Sequence, residues 1–179
     1  DLHAKSDIGL EVLHGINLDV HSGEILGIAG IEGNGQSELV EVLTGIRKAS
    51  KGIVTITPMK DGHAGKTLDI SGMNANIVRQ SGLAHIPEDR RGSGLVLSES
   101  IEDNTILGRQ RWQEFSWRHF ALLLTKITAW AVRLVKDFDI RTPSAEVPAR
   151  ALSGGNQQKI IIAREFASNP EALIAAQPT

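Results

Sequence analysis

The chain has 179 residues, 41% of them hydrophobic, and a formal net charge of −2 from 19 basic and 21 acidic side chains. This length fits about one domain with a real core, which excludes a disordered chain, and the balanced charge gives no reason to expect nucleic-acid or membrane-surface binding. The absence of cysteine excludes disulfides and thiolate chemistry, and neither a signal-peptide pattern nor a run of roughly 18 apolar residues occurs, so we expect a soluble protein on the cytosolic side.

The first third of the chain predicts a strand, a glycine-rich loop and a helix. Loose alternation predicts a strand in residues 12–20, and residues 21–24 predict a turn. The apolar run at 25–29 is typical of a short buried parallel strand. After the glycines, four apolar residues share one helical face: Leu39, Val40, Leu43 and Ile46.

The rest of the chain predicts further strands and a long helical region. The predicted elements are an edge strand at 51–56, a loop-rich stretch at 58–74, a strand at 83–86, a turn at 87–91, mostly helix at 101–138, a proline-bearing connector at 141–150, a helix after 153–155 that stops near Asn169 and Pro170, and a last apolar strand at 171–179. This order predicts a three-layer α/β fold with a helical subdomain.

The glycine-rich loop at 30–37, GIEGNGQS, is close to the phosphate-loop pattern G-x-x-x-x-G-K-[ST], but Gln36 stands where lysine belongs. A plain strand-to-helix turn remains an equal interpretation, whereas the spacing disfavours a dinucleotide-binding loop. As a phosphate loop, its backbone N–H groups and the helix N-terminus would hold an anion, and Ser37 would contact magnesium. Because charged hydrogen bonds are worth about 1.5–3 kcal/mol, the neutral Gln36 would weaken binding roughly tenfold to a hundredfold.

A second motif, LSGGNQQK at residues 152–159, stands at the start of the last predicted helix. Together with the upstream loop it resembles the signature motif of ATP-binding-cassette (ABC) transporter ATPases. Its last four residues resemble the subgroup that serves simple-sugar and nucleoside importers. Residues 86–108 and 173–179 are similar to the second cassette of those tandem proteins, so the resemblance covers about residues 10–179.

The resemblance implies a P-loop NTPase-type three-layer α/β core with an inserted α-helical signature subdomain and with the C-terminal part of the core missing. It divides the chain into the N-terminal part of the ATP-binding core (1–100), the α-helical subdomain (101–150), and the signature helix with a Walker B-like strand (151–179). All three would belong to a single truncated nucleotide-binding domain.

The resemblance also implies site residues. Those expected to bind the nucleotide are Gly30, Gly33, Asn34, Gly35, Gln36 and Ser37, with Ser37 as a weak magnesium contact. Those expected to face a partner's nucleotide are Leu152, Ser153, Gly154, Gly155, Asn156 and Gln157. Glu88 and Asp89 would form the loop that couples to a membrane subunit. Ala176 and Gln177 replace the metal-associated aspartate and the water-polarising glutamate, so with Gln36 they leave no intact catalytic residue.

We therefore expect a cassette whose own site is degenerate and whose signature motif completes the site of another cassette. ATP and Mg²⁺ are the expected cofactors, weak or absent at this half-site. The expected partners are a second cassette, a transmembrane permease and, indirectly, a solute-binding protein, at the cytoplasmic face of the membrane. A docking module that keeps the fold without nucleotide chemistry remains the alternative. A phosphate-loop kinase or GTPase would leave LSGGNQQK unexplained.

Three further expectations concern residues outside these motifs. The AAQPT ending favours nucleoside over sugar as the solute, although both remain open. Trp112, Trp117 and Trp130 are expected to be ordinary packing residues of the helical subdomain, because apolar helical periodicity usually marks a core. The pair Arg90 and Arg91 is expected to be solvated.

Overall fold

The computed structural model describes residues 1–31, 33–60 and 62–177, and it divides into two compact units, residues 1–83 and 84–179. The helices are α1 (Gln36–Leu43), α2 (Ala75–Gln80), α3 (Ile101–Thr105), α4 (Leu124–Asp137) and α5 (Gly154–Phe166). The strands are β1 (Leu2–Lys5), β2 (Glu11–Ile16), β3 (Thr55–Ile56), β4 (Met59–Lys60), β5 (His63–Ala64), β6 (Leu68–Asp69), β7 (Leu83–Ile86), β8 (Ser116–Trp117), β9 (Ala121–Leu122) and β10 (Ala172–Ala175). A π-helical turn covers Arg90–Gly94 and a 3-10 turn covers Ala149–Ala151.

In the first unit, helix α1 packs against the antiparallel hairpin of β1 and β2. Its buried side chains Leu39 and Val42 meet apolar residues of both strands, including Leu2 and Leu13. A smaller cluster joins the antiparallel pair of β3 and β6 to α2 through Val78. The glycine loop leads directly into α1, so the packed helix fixes the end of the loop.

In the second unit, α5 forms the centre of the core. Its residues Ile160 and Ile161 are fully buried among apolar residues of α3 and α4, such as Ile101 and Leu134. Strand β7, whose bounds the sequence predicts correctly, pairs with β10. The N-terminus of α5 therefore starts from a rigid core.

The predicted buried strand at residues 25–29 is wrong for this structure. Ile25 is 97% exposed and Ile28 is 55% exposed. Within the described residues, no backbone hydrogen bond joins positions 25–30 to another strand, and every sheet consists of two strands. A buried parallel strand needs a neighbour on each edge and cover on both faces, and this segment has neither.

The helix that follows the glycine loop is shorter than its apolar pattern predicts. It ends at Leu43, and Gly45 has a left-handed φ of 75°. Ile46 therefore lies beyond the helix and is 65% exposed, so the prediction that it shares the apolar face is wrong.

The predicted helical region 101–138 is correct only at its two ends. Helix α3 ends at Thr105, and a hairpin of β8 and β9 precedes α4. The hairpin turns at Arg118 and His119, whose φ values of 51° and 61° are left-handed, a conformation no helix interior adopts.

Within residues 1–31, 33–60 and 62–177, no helix combines the length and the apolar character that crossing a bilayer requires.

The tryptophans follow the packing prediction in two cases of three. Trp112 and Trp130 pack against a small core cluster, where the Trp130 ring meets the Phe115 ring edge-on at a centroid distance of 5.3 Å. The prediction is wrong for Trp117, which lies in the hairpin, is 58% exposed, and is covered on one face by the Arg118 guanidinium.

Candidate functional site

The glycine loop has the backbone of a tight entry to a helix. Gly33 and Gly35 have φ values of 87° and 95°, which favour glycine. A Cβ atom on Gly35 would lie 2.9 Å from the carbonyl oxygen of Val12, so only glycine fits there. Asn34 donates its backbone N–H to the Ile31 carbonyl at 3.2 Å. Glu32, inside the loop, lies outside the described residues.

Gln36 folds back over the loop that it terminates. Its side-chain amide donates to the Ile31 carbonyl at 3.0 Å. A Cβ atom on Gly30 would lie 1.7 Å from the same amide nitrogen, which shows how closely the side chain covers Gly30. The amide therefore holds the two ends of the loop together without bringing any charge to it.

The N-terminus of α1 is open to an anion. Its N-cap is Gly35, which offers no side-chain acceptor to the first N–H groups of the helix, and Ser37 is exposed. These unpaired N–H groups and the positive end of the helix suit a phosphate. The start of α1 therefore has a geometry that suits an anion, while Gln36 brings no positive charge to it.

A magnesium ion held by this chain does not fit the residues present. Mg²⁺ prefers carboxylate and phosphate oxygens in octahedral geometry. Ser37 offers one neutral oxygen, and position 176 carries the methyl group of alanine. No cluster of three His, Asp or Glu side chains suited to a metal occurs among the residues that the structure describes.

The second candidate region is the start of α5, where Ser153 is the N-cap with extended backbone (φ −61°, ψ 156°). The Ser153 hydroxyl accepts a hydrogen bond from the side-chain amide of Asn156 at 3.0 Å and makes no capping bond to the helix N–H groups. In the part of the chain that the structure describes, the N-cap residue of α5 therefore gives the first helix N–H groups no side-chain acceptor, as at α1.

The residues behind Ser153 anchor this turn to the core. Gln157 is buried, and its amide donates to the carbonyls of Ala149 and Leu152 at 3.2 and 3.1 Å. Asn156 accepts from the backbone N–H of Arg141 at 2.9 Å. The predicted residues Leu152–Gln157 thus form one turn that these hydrogen bonds hold to the core. Ser153 and Gly155 are exposed, and the other four residues are buried or half-buried.

The two glycines of the turn, Gly154 and Gly155, differ in what lies next to them. A Cβ atom on Gly154 would lie 2.7 Å from a terminal nitrogen of Arg90, so a side chain there would have to shift the end of the arginine. A Cβ atom on Gly155 would have nothing within 4 Å, and its backbone does not require glycine. The fold itself therefore does not demand glycine at position 155.

The predicted coupling residues follow β7. Glu88 is exposed. Asp89 caps the π-helical turn by accepting from the backbone N–H groups of Arg91 and Gly92 at 2.9 and 3.0 Å. These bonds, Gly92 first, hold the pKa of the Asp89 carboxyl below its usual range.

Arg90 departs from the prediction that the Arg90–Arg91 pair is solvated. Arg91 is exposed, whereas Arg90 is half-buried and lies against Gly154 of the signature turn. Sequence reasoning missed this contact because 64 positions separate the two residues, and no periodicity links a turn to a distant helix start.

The two remaining predicted residues, Ala176 and Gln177, directly follow strand β10. The Ala176 backbone N–H donates to the Ile86 carbonyl at 2.9 Å, so the alanine continues the pairing with β7. Gln177 is exposed and has a left-handed φ of 44°. Pro178 and Thr179, part of the AAQPT ending, lie outside the described residues.

Residues 13–179 match the protein family described as ABC transporter. The chain is 42% identical over 98% of its length to the guanosine import ATP-binding protein NupO of Bacillus subtilis, and 39% identical over 100% to the nucleoside import ATP-binding protein NupA of Lactococcus lactis. It is 36% identical over 100% to the glucose import ATP-binding protein TsgD13 of Haloferax volcanii. It spans only 32%, 33% and 31% of these relatives, respectively.

Solved structures of similar fold include the dimeric ATP-binding cassette MJ0796 in a post-hydrolysis state bound to ADP and Pi. Its TM-score is 0.70 at 22% identity, over 100% of this chain and 75% of that one. A nucleotide-free ATP-binding cassette from an ABC transporter gives a TM-score of 0.72 at 20% identity, over 99% and 69%. The chain therefore has the α/β P-loop fold of ATP-binding cassettes.

Proposed function

Because this chain belongs to the ABC transporter family, we propose that it is an ATP-binding part of an importer whose main contribution is to another cassette's site. In this proposal it acts as the second cassette of a tandem protein. Ser153, Gly154 and Gly155 complete the ATP site of the partner cassette, and the chain's own phosphate loop is degenerate.

The observation that carries the proposal is the open position at Gly155. Nothing in the chain lies within 4 Å of the place that a side chain would take there. A glycine that the fold does not need suits a surface that another molecule must approach closely. Beside it, Ser153 presents an exposed hydroxyl and uncapped helix N–H groups to an anion.

The proposed weakness of the chain's own site rests on three replacements. Gln36 supplies no positive charge, Ala176 supplies no carboxylate for a metal, and Gln177 supplies no general base. Phosphoryl transfer depends on positioning and on neutralising charge, so each replacement removes a different necessary part. ATP and Mg²⁺ remain the cofactors of the assembled pair, held chiefly by the partner.

The relatives guide the proposal on solute and partners. Two of them are named for guanosine or nucleoside import and a third for glucose import, so we place the solute among nucleosides and simple sugars, with nucleosides favoured. The partners would be a second cassette, permease subunits and, indirectly, a solute-binding protein. The chain would then work at the cytoplasmic face of the membrane as a peripheral component.

The test compares three variants in the complete transporter. Gly155→Asp should abolish ATP turnover and transport, because its carboxylate would repel phosphate and its bulk would hold the cassettes apart. Ser153→Arg should do the same. Gln36→Ala should reduce transport much less, and ATP binding to the isolated partner cassette should be unchanged. Equal loss in Gly155→Asp and Gln36→Ala, or normal transport by Gly155→Asp, would contradict the proposal.

One observation favours a second candidate, a docking module without nucleotide chemistry. The Gln36 amide donates to the Ile31 carbonyl, so the side chain that replaces the loop lysine is used in a bond within the chain and not directed at a nucleotide. An ATP titration with and without magnesium, repeated with the partner cassette present, separates the two functions. A docking module would leave the partner's ATP affinity and turnover unaffected by Ser153→Arg.

A further inference from the structure

We propose that Arg90 is part of the signature face and contacts the terminal phosphate of the nucleotide that the partner cassette holds. This inference rests on the proposed function, because it adds a cation to the same Ser153–Gly155 turn. It concerns a residue outside the LSGGNQQK motif, at the turn that follows β7.

The first observation is the position of the Arg90 side chain. A Cβ atom on Gly154 would lie 2.7 Å from its Nη2 and 3.2 Å from its Cζ, so the guanidinium lies directly against the signature backbone. Any side chain at position 154 would displace it. The glycine at 154 is thus the residue that lets Arg90 approach the start of α5.

The second observation is that this guanidinium forms no hydrogen bond to an anion among the described residues; the nearby Asp89 carboxylate, whose pKa Arg90 helps to lower, acts on it only through space. Its Nε is buried and has no hydrogen-bond acceptor among the described residues. No carboxylate in the described part of the chain forms an ion pair with Arg90. A half-buried charge is unfavourable unless it is paired, so the arrangement favours an anion from outside the chain.

The N-terminus of α5 also favours an anion, and it lies beside the Arg90 guanidinium. The uncapped N–H groups after Ser153 carry the positive end of a 13-residue helix. A positive helix end and a cation in contact with it would repel one another unless a negative group lies between or beside them. A phosphate suits both, because the guanidinium presents planar paired donors that match phosphate oxygens.

The turn around Arg90 holds it in this position. Asp89 caps the turn through the backbone N–H groups of Arg91 and Gly92. At the other end Gly94 is buried, and a Cβ atom there would lie 2.5 Å from the Cδ1 of Ile161 in α5. The turn is therefore packed on the signature helix itself, and Arg90 is presented from a rigid support.

The experiment uses the complete transporter with Arg90→Gln and Arg90→Lys, and with Arg91→Gln as the matched control from the same turn. Loss of one charged hydrogen bond, worth about 1.5–3 kcal/mol, predicts a decrease of roughly tenfold to a hundredfold in kcat/KM for ATP in Arg90→Gln. Arg90→Lys should recover part of this loss. Arg91→Gln, whose side chain is exposed, should match the unmodified protein.

A readout specific for the terminal phosphate separates contact from a structural role. Arg90→Gln should weaken ATP binding to the assembled pair and leave ADP binding unchanged, because ADP lacks the group that Arg90 contacts. Equal weakening for both nucleotides, or kinetics identical to those of Arg91→Gln, would overturn the inference. Gly155→Asp is measured in the same assays. If Gly155→Asp is inactive while Arg90→Gln is normal, only the Arg90 inference fails. If both variants are normal, the proposed function fails as well.

Discussion

At the scale of single residues, the neutral side chain of Gln36 holds the glycine loop at the position where the phosphate-loop pattern has lysine. The amide donates to the Ile31 carbonyl and covers Gly30, so the loop is held by a neutral hydrogen bond within the chain. A lysine at this position would gain a cation for a phosphate and lose that bond. The Gln36 amide therefore stabilises the loop through a hydrogen bond within the chain and brings no positive charge to it.

Gln36→Lys should tighten ATP binding by about tenfold to a hundredfold, because a charged hydrogen bond to phosphate contributes about 1.5–3 kcal/mol. It should create no turnover, since the added charge acts on the bound substrate as well as on the transition state. Isothermal titration and a phosphate-release assay measure the two effects, with the neutral Gln36→Met as control. ATPase activity gained by this single change would mean that Ala176 and Gln177 are not the limiting replacements.

Asp89 gives a pH prediction. Backbone hydrogen bonds from Gly92 and Arg91 lower its pKa below the ordinary value of 3.8. The carboxylate's contribution to the turn is therefore fully present above pH 3.8 and is lost as the pH falls through the lower, folded-state pKa. The amide resonances of Arg91 and Gly92 should titrate together with a midpoint below 3.8, and Asp89→Asn should abolish the titration. A midpoint at or above 3.8 would contradict the capping role.

At the scale of elements, α5 is tied to its surroundings by buried charges. Arg164 donates to Glu165 at 2.7 Å and to the Gly94 carbonyl at 2.9 Å. Arg109, which follows α3, donates to the Arg164 carbonyl at 2.6 Å and lies 3.5 Å from the Glu165 carboxylate. This Arg109–Arg164–Glu165 cluster joins the signature helix to the Arg90–Gly94 turn. Its buried bonds therefore fix the position of that turn, which carries Arg90, relative to helix α5.

Glu165→Gln should lower the free energy of unfolding of the second unit by about 3–5 kcal/mol, because it leaves two buried guanidinium groups short of a negative partner. Urea denaturation followed by tryptophan fluorescence reports on this unit alone, since Trp112, Trp117 and Trp130 all lie in it. The control is Glu114→Gln at an exposed position, expected to change stability by less than about 0.5 kcal/mol. Equal effects of the two changes would argue against a structural role for the cluster.

Sequence reasoning identified the elements whose signals are local. Strand β7 and helix α5 have their own apolar patterns and boundary residues, and both occur where the sequence predicts them. Residues 25–29 have an equally apolar pattern, but a strand also needs neighbours, which no window of sequence contains. The contact of Arg90 with Gly154 is likewise a product of packing, and only the glycine was visible as a motif.

At the scale of the whole molecule, the chain should hydrolyse no ATP above background when it is purified alone. In the proposed function, Gln36, Ala176 and Gln177 stand in place of the phosphate-binding cation, the metal-binding carboxylate and the general base. A phosphate-release assay at millimolar ATP and Mg²⁺ measures this. The prediction fails if the purified chain turns over steadily and the activity disappears on Ser37→Ala.

The exposed segment at residues 25–31 has a consequence for handling the chain. Its sequence, ILGIAGI with Glu32 excluded, combines β-branched apolar side chains with no charge and no proline. The backbone groups of residues 25–30 make no hydrogen bond within the described residues, and only the Ile31 carbonyl is paired, so the segment is a template for a strand of another molecule. Concentrated solutions should therefore accumulate β-rich aggregates through this stretch, and a lysine at Ile28 would act as a gatekeeper that slows them.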